Sequence, residues 1–412
     1  MSGCGCDAVK TRLTSFDEAI ESLLASAQPT TETESVDTAS ALGRVLAQSL
    51  VSTINVPPLD NSAMDGYAVI SEDVKQSGVT LPVSQRICAG EVGQPLQAGT
   101  AARIFTGAPV PPSADAVVMQ EMCDFKDDSV TIKQAVKPWQ NIRDAGEDIS
   151  QGDEILVAGA YLRAQELGLA ASIGCSPLTV YKKIKVGLFF TGDELVEPGN
   201  PLTPGKIYDS NRYTLLGLLQ TMGCEIVDLG IVPDDLESTK TALQQAASQA
   251  NMVITSGGVS VGEEDHVRIA LEQLGELKMW RIAMKPGKPL AFGMVGDTPF
   301  IGLPGNPVSA FVTYCLFVSP FLKSMQGRLD VLPKSLSVPA AFDWPVAGKR
   351  QEYLRARIVM DDNAQSAVEI FSHQGSGVLT STSWADGLVM IPVGATVKKG
   401  DSVAYTPFTE LL

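Results

Sequence analysis

Between Lys185 and Met325 the chain repeats one pattern: a short, almost wholly apolar run, a polar loop, then a stretch of helical length. The runs Val186–Phe190, Glu225–Leu229, Met252–Thr255 and Phe300–Leu303 read as strands. Asn211–Met222, Glu237–Ala250, His266–Leu274 and Val308–Met325 read as the helices between and after them. Runs that are apolar on both faces suit a sheet buried on both sides, so the expectation is a parallel sheet covered by helices. That architecture also locates function, because ligands bind such sheets at the carboxyl ends of the strands, in the loops that follow.

A chain of 412 residues exceeds what one hydrophobic core usually serves, so two to four domains are expected. Ser15-Phe-Asp-Glu18 is a capping box followed by apolar residues at helical spacing, and Thr38–Leu50 and Ala164–Ile173 also read as helical. From Val51 to Asp148 the chain is rich in Pro, Gly, Val and short alternating runs, as in a β-rich insertion. Beyond Leu329 the runs 336–342, 352–359, 367–371, 387–391 and 402–405 suggest a small barrel or sandwich. The predicted fold class is therefore multi-domain α/β and β. A helical part (1–50 with 149–184) carries the β-rich insertion (51–148), followed by a parallel-sheet α/β domain (185–328) and a C-terminal β-barrel (329–412).

Charge and composition remove several functions. The formal net charge of −16 repels a polyanion, so no nucleic-acid partner is expected. A small anionic ligand would need a local cluster of cations and backbone N–H groups. With only His266 and His373, chemistry built on histidine triads is disfavoured. Seven cysteines with no zinc spacing read as reduced thiols, and Cys4/Cys6 remain a weak soft-metal alternative. No apolar run approaches the length expected of a bilayer-crossing segment, and Met1–Asp7 lacks the regions of a signal peptide. A cytoplasmic protein without a membrane partner is expected.

Three loops after the predicted strands stand out: Thr191-Gly-Asp-Glu194, Ser256-Gly-Gly-Val-Ser-Val-Gly-Glu-Glu-Asp265 and Gly302-Leu-Pro-Gly-Asn-Pro307. The glycines let backbone approach a ligand, and Gly257 and Gly258 with the Ser256 and Ser260 hydroxyls suit a phosphate. Pro304, Asn306 and Pro307 lead into a helix. One such loop is equally well a tight turn; three at one sheet edge favour a ligand site. Met284-Lys-Pro-Gly-Lys-Pro289 supplies the missing cations, Lys285 and Lys288. Glu194, Asp234 and Asp265 near a phosphate loop make sense around a hard cation such as Mg²⁺, while helix capping is the plainer role for Asp265. Asp60–Ala68, Arg103–Pro109 and Gly146–Asp148 are compact polar loops whose purpose spacing does not reveal.

Taken together and in order, these segments resemble the MoeA family of molybdopterin molybdenumtransferases, which includes the E domain of gephyrin and its plant counterpart. The resemblance is carried by Asp60-Asn-Ser-Ala-Met-Asp-Gly-Tyr-Ala68, Thr106-Gly-Ala-Pro109, Arg143 with Gly146-Glu-Asp-Ile149 and Thr191-Gly-Asp-Glu194. It continues through Ile207-Tyr-Asp-Ser-Asn211, Ser256–Gly262, Lys285-Pro-Gly-Lys-Pro289 and Leu303-Pro-Gly-Asn-Pro307. It implies an elongated homodimer of four-domain subunits, with a cleft shared between the α/β domain of one and the insertion of the other. The implied reaction joins molybdate to adenylylated molybdopterin with Mg²⁺ and releases AMP. By resemblance Glu194 and Asp265 hold the metal, and Asp65, Asp148 and Asp234 are acidic positions required for activity. Lys285 and Lys288, with Arg350 and Ser376, form the molybdate site, and Thr106 and Arg143 join the substrate contacts. A molybdopterin adenylyltransferase is the implied substrate donor. Rival readings are that adenylyltransferase activity itself, which needs only the α/β unit, a partner-binding scaffold, and a Mg²⁺-dependent nucleotide hydrolase without a Walker motif.

Overall fold

The computed structural model describes residues 13–258, 266–360 and 364–412. The chain forms two compact units: one comprises Met1–Glu34, Gly43–Ala47 and Val180–Leu412, and the other Ser35–Leu42 and Gln48–Thr179.

The first unit is built on a six-stranded sheet in the order Glu225–Val232, Lys185–Thr191, Met252–Ser256, Thr298–Leu303, Pro289–Val295, Gly275–Arg281. The first four strands are parallel, as expected. The last two are antiparallel, which corrects the all-parallel expectation. Gly296-Asp297 joins Val295 to Thr298. So short a link can only reverse the chain, whereas a parallel neighbour needs a crossover of a dozen residues or more.

The apolar runs alternate between two faces. Val186, Leu188 and Phe190 pack with Leu219, Phe317 and Phe321, while Phe189 packs with Leu243, Ala246 and Leu271. Helices Ser210–Thr221 and Pro307–Met325 thus cover one face, and Leu236–Gln249 and His266–Leu274 the other. Each fully buried Leu or Phe contributes roughly 1.5–3 kcal/mol, so both layers are strongly driven. Pro307–Met325 corrects the reading that no apolar run has membrane-spanning length. Its 19 residues meet that length, but 94% of its most apolar window is buried in this core.

Helix Phe16–Leu24 forms with its capping box intact, Ser15 and Glu18 bonding each other's backbone at 3.2 Å. It buries Ala19, Ile20 and Leu23 against the α/β core, so it belongs to this unit. The expected helix over Thr38–Leu50 does not form: a single 3₁₀ turn, Thr38–Ser40, gives way to a turn with Gly43 at φ 73°. A left-handed residue breaks the helical path, and Leu50–Val51 instead pairs with Glu154–Leu156. Helix Ala164–Ser172 lies in the second unit.

In the C-terminal region the antiparallel order is Ser366–Ile370, Gln351–Met360, Gly387–Ile391, Ser402–Pro407, Leu336–Pro339. A bridge between Ala340 and Val368, with Ala341 N–H donating to Val368 O at 2.8 Å, brings the last strand back to the first. Val338, Leu354, Val368, Val389 and Tyr405 fill the interior. The lysine turn joins this sheet, since Met284–Lys285 pairs in parallel with Gln351–Glu352.

The second unit holds the β-rich sheet, in the order Ala116–Met119, Gly66–Val69, Ala101–Ile104, Val79–Ile87, Ser129–Ile132, Cys123–Lys126. The described cysteines, Cys88, Cys123, Cys175, Cys224 and Cys315, are free thiols. Cys4 and Cys6 lie outside the described residues.

Candidate functional site

Register fixes where the loops emerge. Thr191 pairs with Val232, Phe190 with Ser256, and Ser256 with Leu303, so the four parallel strands end side by side. The loops beginning at Gly192, Pro233, Gly257 and Pro304 therefore leave from one edge. Gly257 and Gly258 sit at φ 96° and 63°. A β-carbon on Gly258 would lie 2.6 Å from Val267 Cγ2 and 3.1 Å from Thr191 Oγ1, so only glycine fits there.

The Ser256 hydroxyl is engaged within the protein. It is buried, donates to Pro304 O at 3.0 Å, and accepts from Asn211 Nδ2 at 2.8 Å. Asn211 Nδ2 also donates to Gly305 O at 2.8 Å. One amide and one hydroxyl thus lock two glycine loops together. In the sequence Asn211 is simply the last residue of the Ile207–Asn211 motif. The neighbouring Asp209 caps helix Ser210–Thr221 through Arg212 N–H at 3.1 Å, and burial raises its carboxyl.

The lysine turn faces these loops across a cleft of about 570 Å³. Glu194, Gly257, Gly258, Pro304 and Asn306 line it, together with Lys285, Lys288, Arg350 and Ser376. Pro307 begins the helix after that loop. The structure thus brings together residues from six separate stretches of the sequence, within a chain of net charge −16. Lys285 Nζ lies 3.1 Å from Glu352 Oε2, a buried carboxylate on the paired strand. Arg350 donates to Met284 O at 3.1 Å, tying its guanidinium to the turn. Lys288 is exposed and has no ion pair among the described residues. Glu352, Gln374 and Gly375, which sequence reasoning missed, are local to this wall.

Asp234 sits beside the edge. Burial raises its carboxyl, and the nearby Asp193, Glu194 and Asp235 raise it further, against the opposing influence of His266. Among the described residues no cluster of three or more His, Cys, Asp or Glu is placed to hold a metal. Ser260 and Asp265 lie outside the described residues.

Asp65, Thr106, Arg143 and Asp148 lie in the second unit. There the polar loops are knitted together. Arg143 pairs with Asn61, Ala145 N–H donates to Asp60 Oδ1 at 2.8 Å, and Gly107 N–H donates to Ser62 O at 2.8 Å. Asp65 Oδ1 accepts both the backbone N–H of Thr106 (2.8 Å) and its hydroxyl (2.7 Å). Those bonds, the backbone one first, hold the Asp65 carboxyl below its ordinary value. Arg143 and Asp148 are exposed.

Comparison with known proteins bears on the whole chain. Residues 14–174 match the description "MoeA N-terminal region (domain I and II)", 187–324 "Probable molybdopterin binding domain", and 337–408 "MoeA C-terminal region (domain IV)". The chain is 41% identical over 401 residues to the molybdopterin molybdenumtransferase of Haemophilus influenzae, covering 96% of this chain and 99% of that one. The chain belongs to the MoeA family. A Nostoc molybdopterin molybdenumtransferase is 37% identical over 375 residues, covering 89% of this chain and 86% of its own length. The crystal structure of the molybdopterin biosynthesis moeA protein of Pyrococcus horikoshii OT3 superposes with a TM-score of 0.82 at 30% identity, covering 96% of this chain and 100% of that one. Within this MoeA-family chain the cleft draws on the second and third matched segments, while Asp65, Thr106, Arg143 and Asp148 lie in the first.

Proposed function

We propose that this protein is a molybdopterin molybdenumtransferase, inserting molybdate into adenylylated molybdopterin with release of AMP and so completing the molybdenum cofactor. The observation that carries the reading is the cleft where Lys285, Lys288 and Arg350 meet the bare backbone of two glycine loops. Substrate phosphates approach the backbone at Gly257, Gly258 and the Pro304–Pro307 loop. Molybdate sits against Lys285, Lys288, Arg350 and Ser376. Ser256 and Asn211 act behind them, holding the loops at their spacing.

Cleaving a phosphoanhydride depends on neutralising charge more than on a covalent nucleophile. The cations do this within the cleft and hold the oxyanion where exchange onto the dithiolene sulfurs becomes a proximity effect. Asp65 is kept ionised by Thr106. In this reading it orders the reacting groups, and Asp148, Asp234 and Arg143 complete the charged surround.

Mg²⁺ fits the donors present. Glu194 lines the cleft and neighbours the Asp193 and Asp234 carboxylates, which are hard oxygen donors. Mg²⁺ commonly takes one or two carboxylates and completes its shell with phosphates and water. Glu194 and Asp265 would hold it, and it would supply further charge neutralisation at the phosphates.

We read the molecule as a cytoplasmic homodimer of four-domain subunits, with substrate passed on by a molybdopterin adenylyltransferase. In that dimer the Asp65–Thr106 loop of one subunit completes the cleft of the other. The test is AMP release from adenylylated molybdopterin and Mg²⁺, with and without molybdate. Molybdate-linked AMP supports the assignment. AMP release indifferent to molybdate points to a hydrolase, and adenylylated product formed from ATP and molybdopterin points to the adenylyltransferase. For the shared cleft, mixing Asp65→Asn and Lys288→Ala proteins restores part of the activity if each subunit supplies half a site. No recovery argues for a site within one chain.

A further inference from the structure

Strands Val79–Ile87, Ala101–Ile104 and Gly66–Val69 lie side by side in the sheet of the second unit. Register sets Arg86 opposite Arg103 and Arg103 opposite Tyr67, so the three side chains share one face. The Phe105 ring centre is 4.8 Å from the Arg86 guanidinium carbon and 4.7 Å from that of Arg103, which also lies 5.1 Å from the Tyr67 ring. Like charges directly opposite each other in a sheet are destabilising. A carboxylate would relieve them, as it does for nearby lysines: Lys75 pairs with Glu72 at 2.5 Å and Lys133 with Asp124 at 2.6 Å. Among the described residues neither arginine forms an ion pair, although the chain carries 47 acidic residues against 31 basic ones.

The two arginines differ in freedom. Arg103 is half-buried and fixed: Nη1 donates to Gly66 O at 3.1 Å and Nη2 to Gln120 Oε1 at 2.6 Å. Arg86 is exposed and makes no hydrogen bond among the described residues, so its contact with Phe105 leaves its N–H donors for another acceptor. The pair stands beside Asp65. Gly66 follows Asp65 and Thr106 follows Phe105 in the chain. Gln120 N–H donates to Asp65 O at 3.0 Å, and Thr106 donates twice to the Asp65 carboxylate. Arg103 thus belongs to the network that carries Asp65, with Arg86 as its open neighbour.

We infer that Arg86 and Arg103, set by Phe105, form an anion subsite beside Asp65 whose ligand is a phosphomonoester. Two guanidinium forks match the several oxygens of a phosphate dianion, and the ligand supplies the counter-charge that the pair lacks. This rests on the transferase reading, whose reaction turns one phosphoanhydride into two phosphate-bearing products, AMP and the pterin cofactor. Both carry the group that the subsite recognises.

The experiment compares wild type with Arg86→Ala and Arg86→Lys. It measures melting temperature, KM for adenylylated molybdopterin and for molybdate, and inhibition by added AMP and by added molybdopterin, each a phosphomonoester. Arg86 is exposed, and removing it removes a like-charge neighbour, so Arg86→Ala should melt no lower than wild type. The expected result in that variant is a rise of about tenfold in KM for adenylylated molybdopterin, with KM for molybdate within about twofold. Arg86→Lys, which keeps charge without the fork, recovers part of the loss. Weaker inhibition by AMP assigns the subsite to the adenylate phosphate, and weaker inhibition by molybdopterin to the pterin's phosphate; either supports the inference. If KM for adenylylated molybdopterin and both inhibition constants stay within about twofold, while wild type shows molybdate-linked AMP release, the inference is overturned and the transferase reading stands. A melting temperature several degrees lower with those constants unchanged makes the pair structural and overturns it equally. If wild type releases no molybdate-linked AMP, both fall.

Discussion

Replacing Asn211 by Ala removes one amide that donates twice, to Ser256 Oγ and to Gly305 O, each at 2.8 Å. The two losses are unequal. Gly305 is exposed, so water can take over at its carbonyl. Ser256 Oγ is buried and its own proton is committed to Pro304 O at 3.0 Å, leaving an acceptor unsatisfied. A net hydrogen bond is worth about 1 kcal/mol and an unsatisfied buried group about 1–3 kcal/mol, which together suggest a cost of about 1–2 kcal/mol. For a unit of this size that lowers the melting temperature by roughly 2–8 °C. Asn211→Asp is expected to be worse, because a carboxylate oxygen would replace the donor facing Gly305 O. The critical assay is a double-mutant cycle in thermal denaturation. Asn211→Ala and Ser256→Ala remove the same bond, so the double variant should cost about 1 kcal/mol less than the sum. With the loops released, KM for adenylylated molybdopterin should rise in both single variants. Strict additivity, or single variants melting like wild type, would refute the clamp.

Asp65→Asn keeps Oδ1, the atom that accepts both Thr106 bonds, and removes only charge. Thermal stability should change by no more than about 1 kcal/mol while AMP release falls about a hundredfold, and full turnover would remove Asp65 from the chemistry. Lys288→Ala deletes an exposed lysine without an ion pair among the described residues, so stability should hold within about 0.5 kcal/mol. Its affinity for molybdate should drop tenfold or more by calorimetry; equal affinity would place the oxyanion elsewhere. Lys323 is buried on the long helix, bonds Glu410 O at 3.0 Å, and burial pushes its ammonium from 10.5 to about 8. Between pH 8 and 10.5 the unfolded chain binds the proton and the folded chain does not, so this residue adds stability as pH rises and withholds it below pH 8. Relative to Lys323→Met, wild type should gain up to about 3 kcal/mol across that window in denaturant melts. Parallel curves would show that Lys323 ionises normally.

Some of this architecture is written in local patterns. Val186–Phe190 and Met252–Thr255 are apolar at every position but Gly187 and Thr255, which only a sheet buried on both faces accommodates, so four strands and their helices could be read directly. Strand Gly275–Arg281 could not, because as an edge strand paired on one side it alternates apolar and charged residues and continues from helix His266–Leu274 without a break. Thr38–Leu50 carries helical spacing that the left-handed Gly43 and the pairing of Leu50–Val51 override.

The site divides in the same way. The Lys285/Lys288 turn, the glycine loops and the Asp65 and Thr106 segments announce themselves because each is a run of unusual local chemistry, and ordered along one chain they mark the family. Which atoms remain available to a ligand depends on partners distant in sequence. Tertiary contact alone made Ser256 a buried tie, paired Lys285 with Glu352, and brought Arg350 and Ser376 to the lysine turn. Sequence spacing records which groups a segment carries; only the folded chain determines whether their hydrogen bonds and charges are already spent.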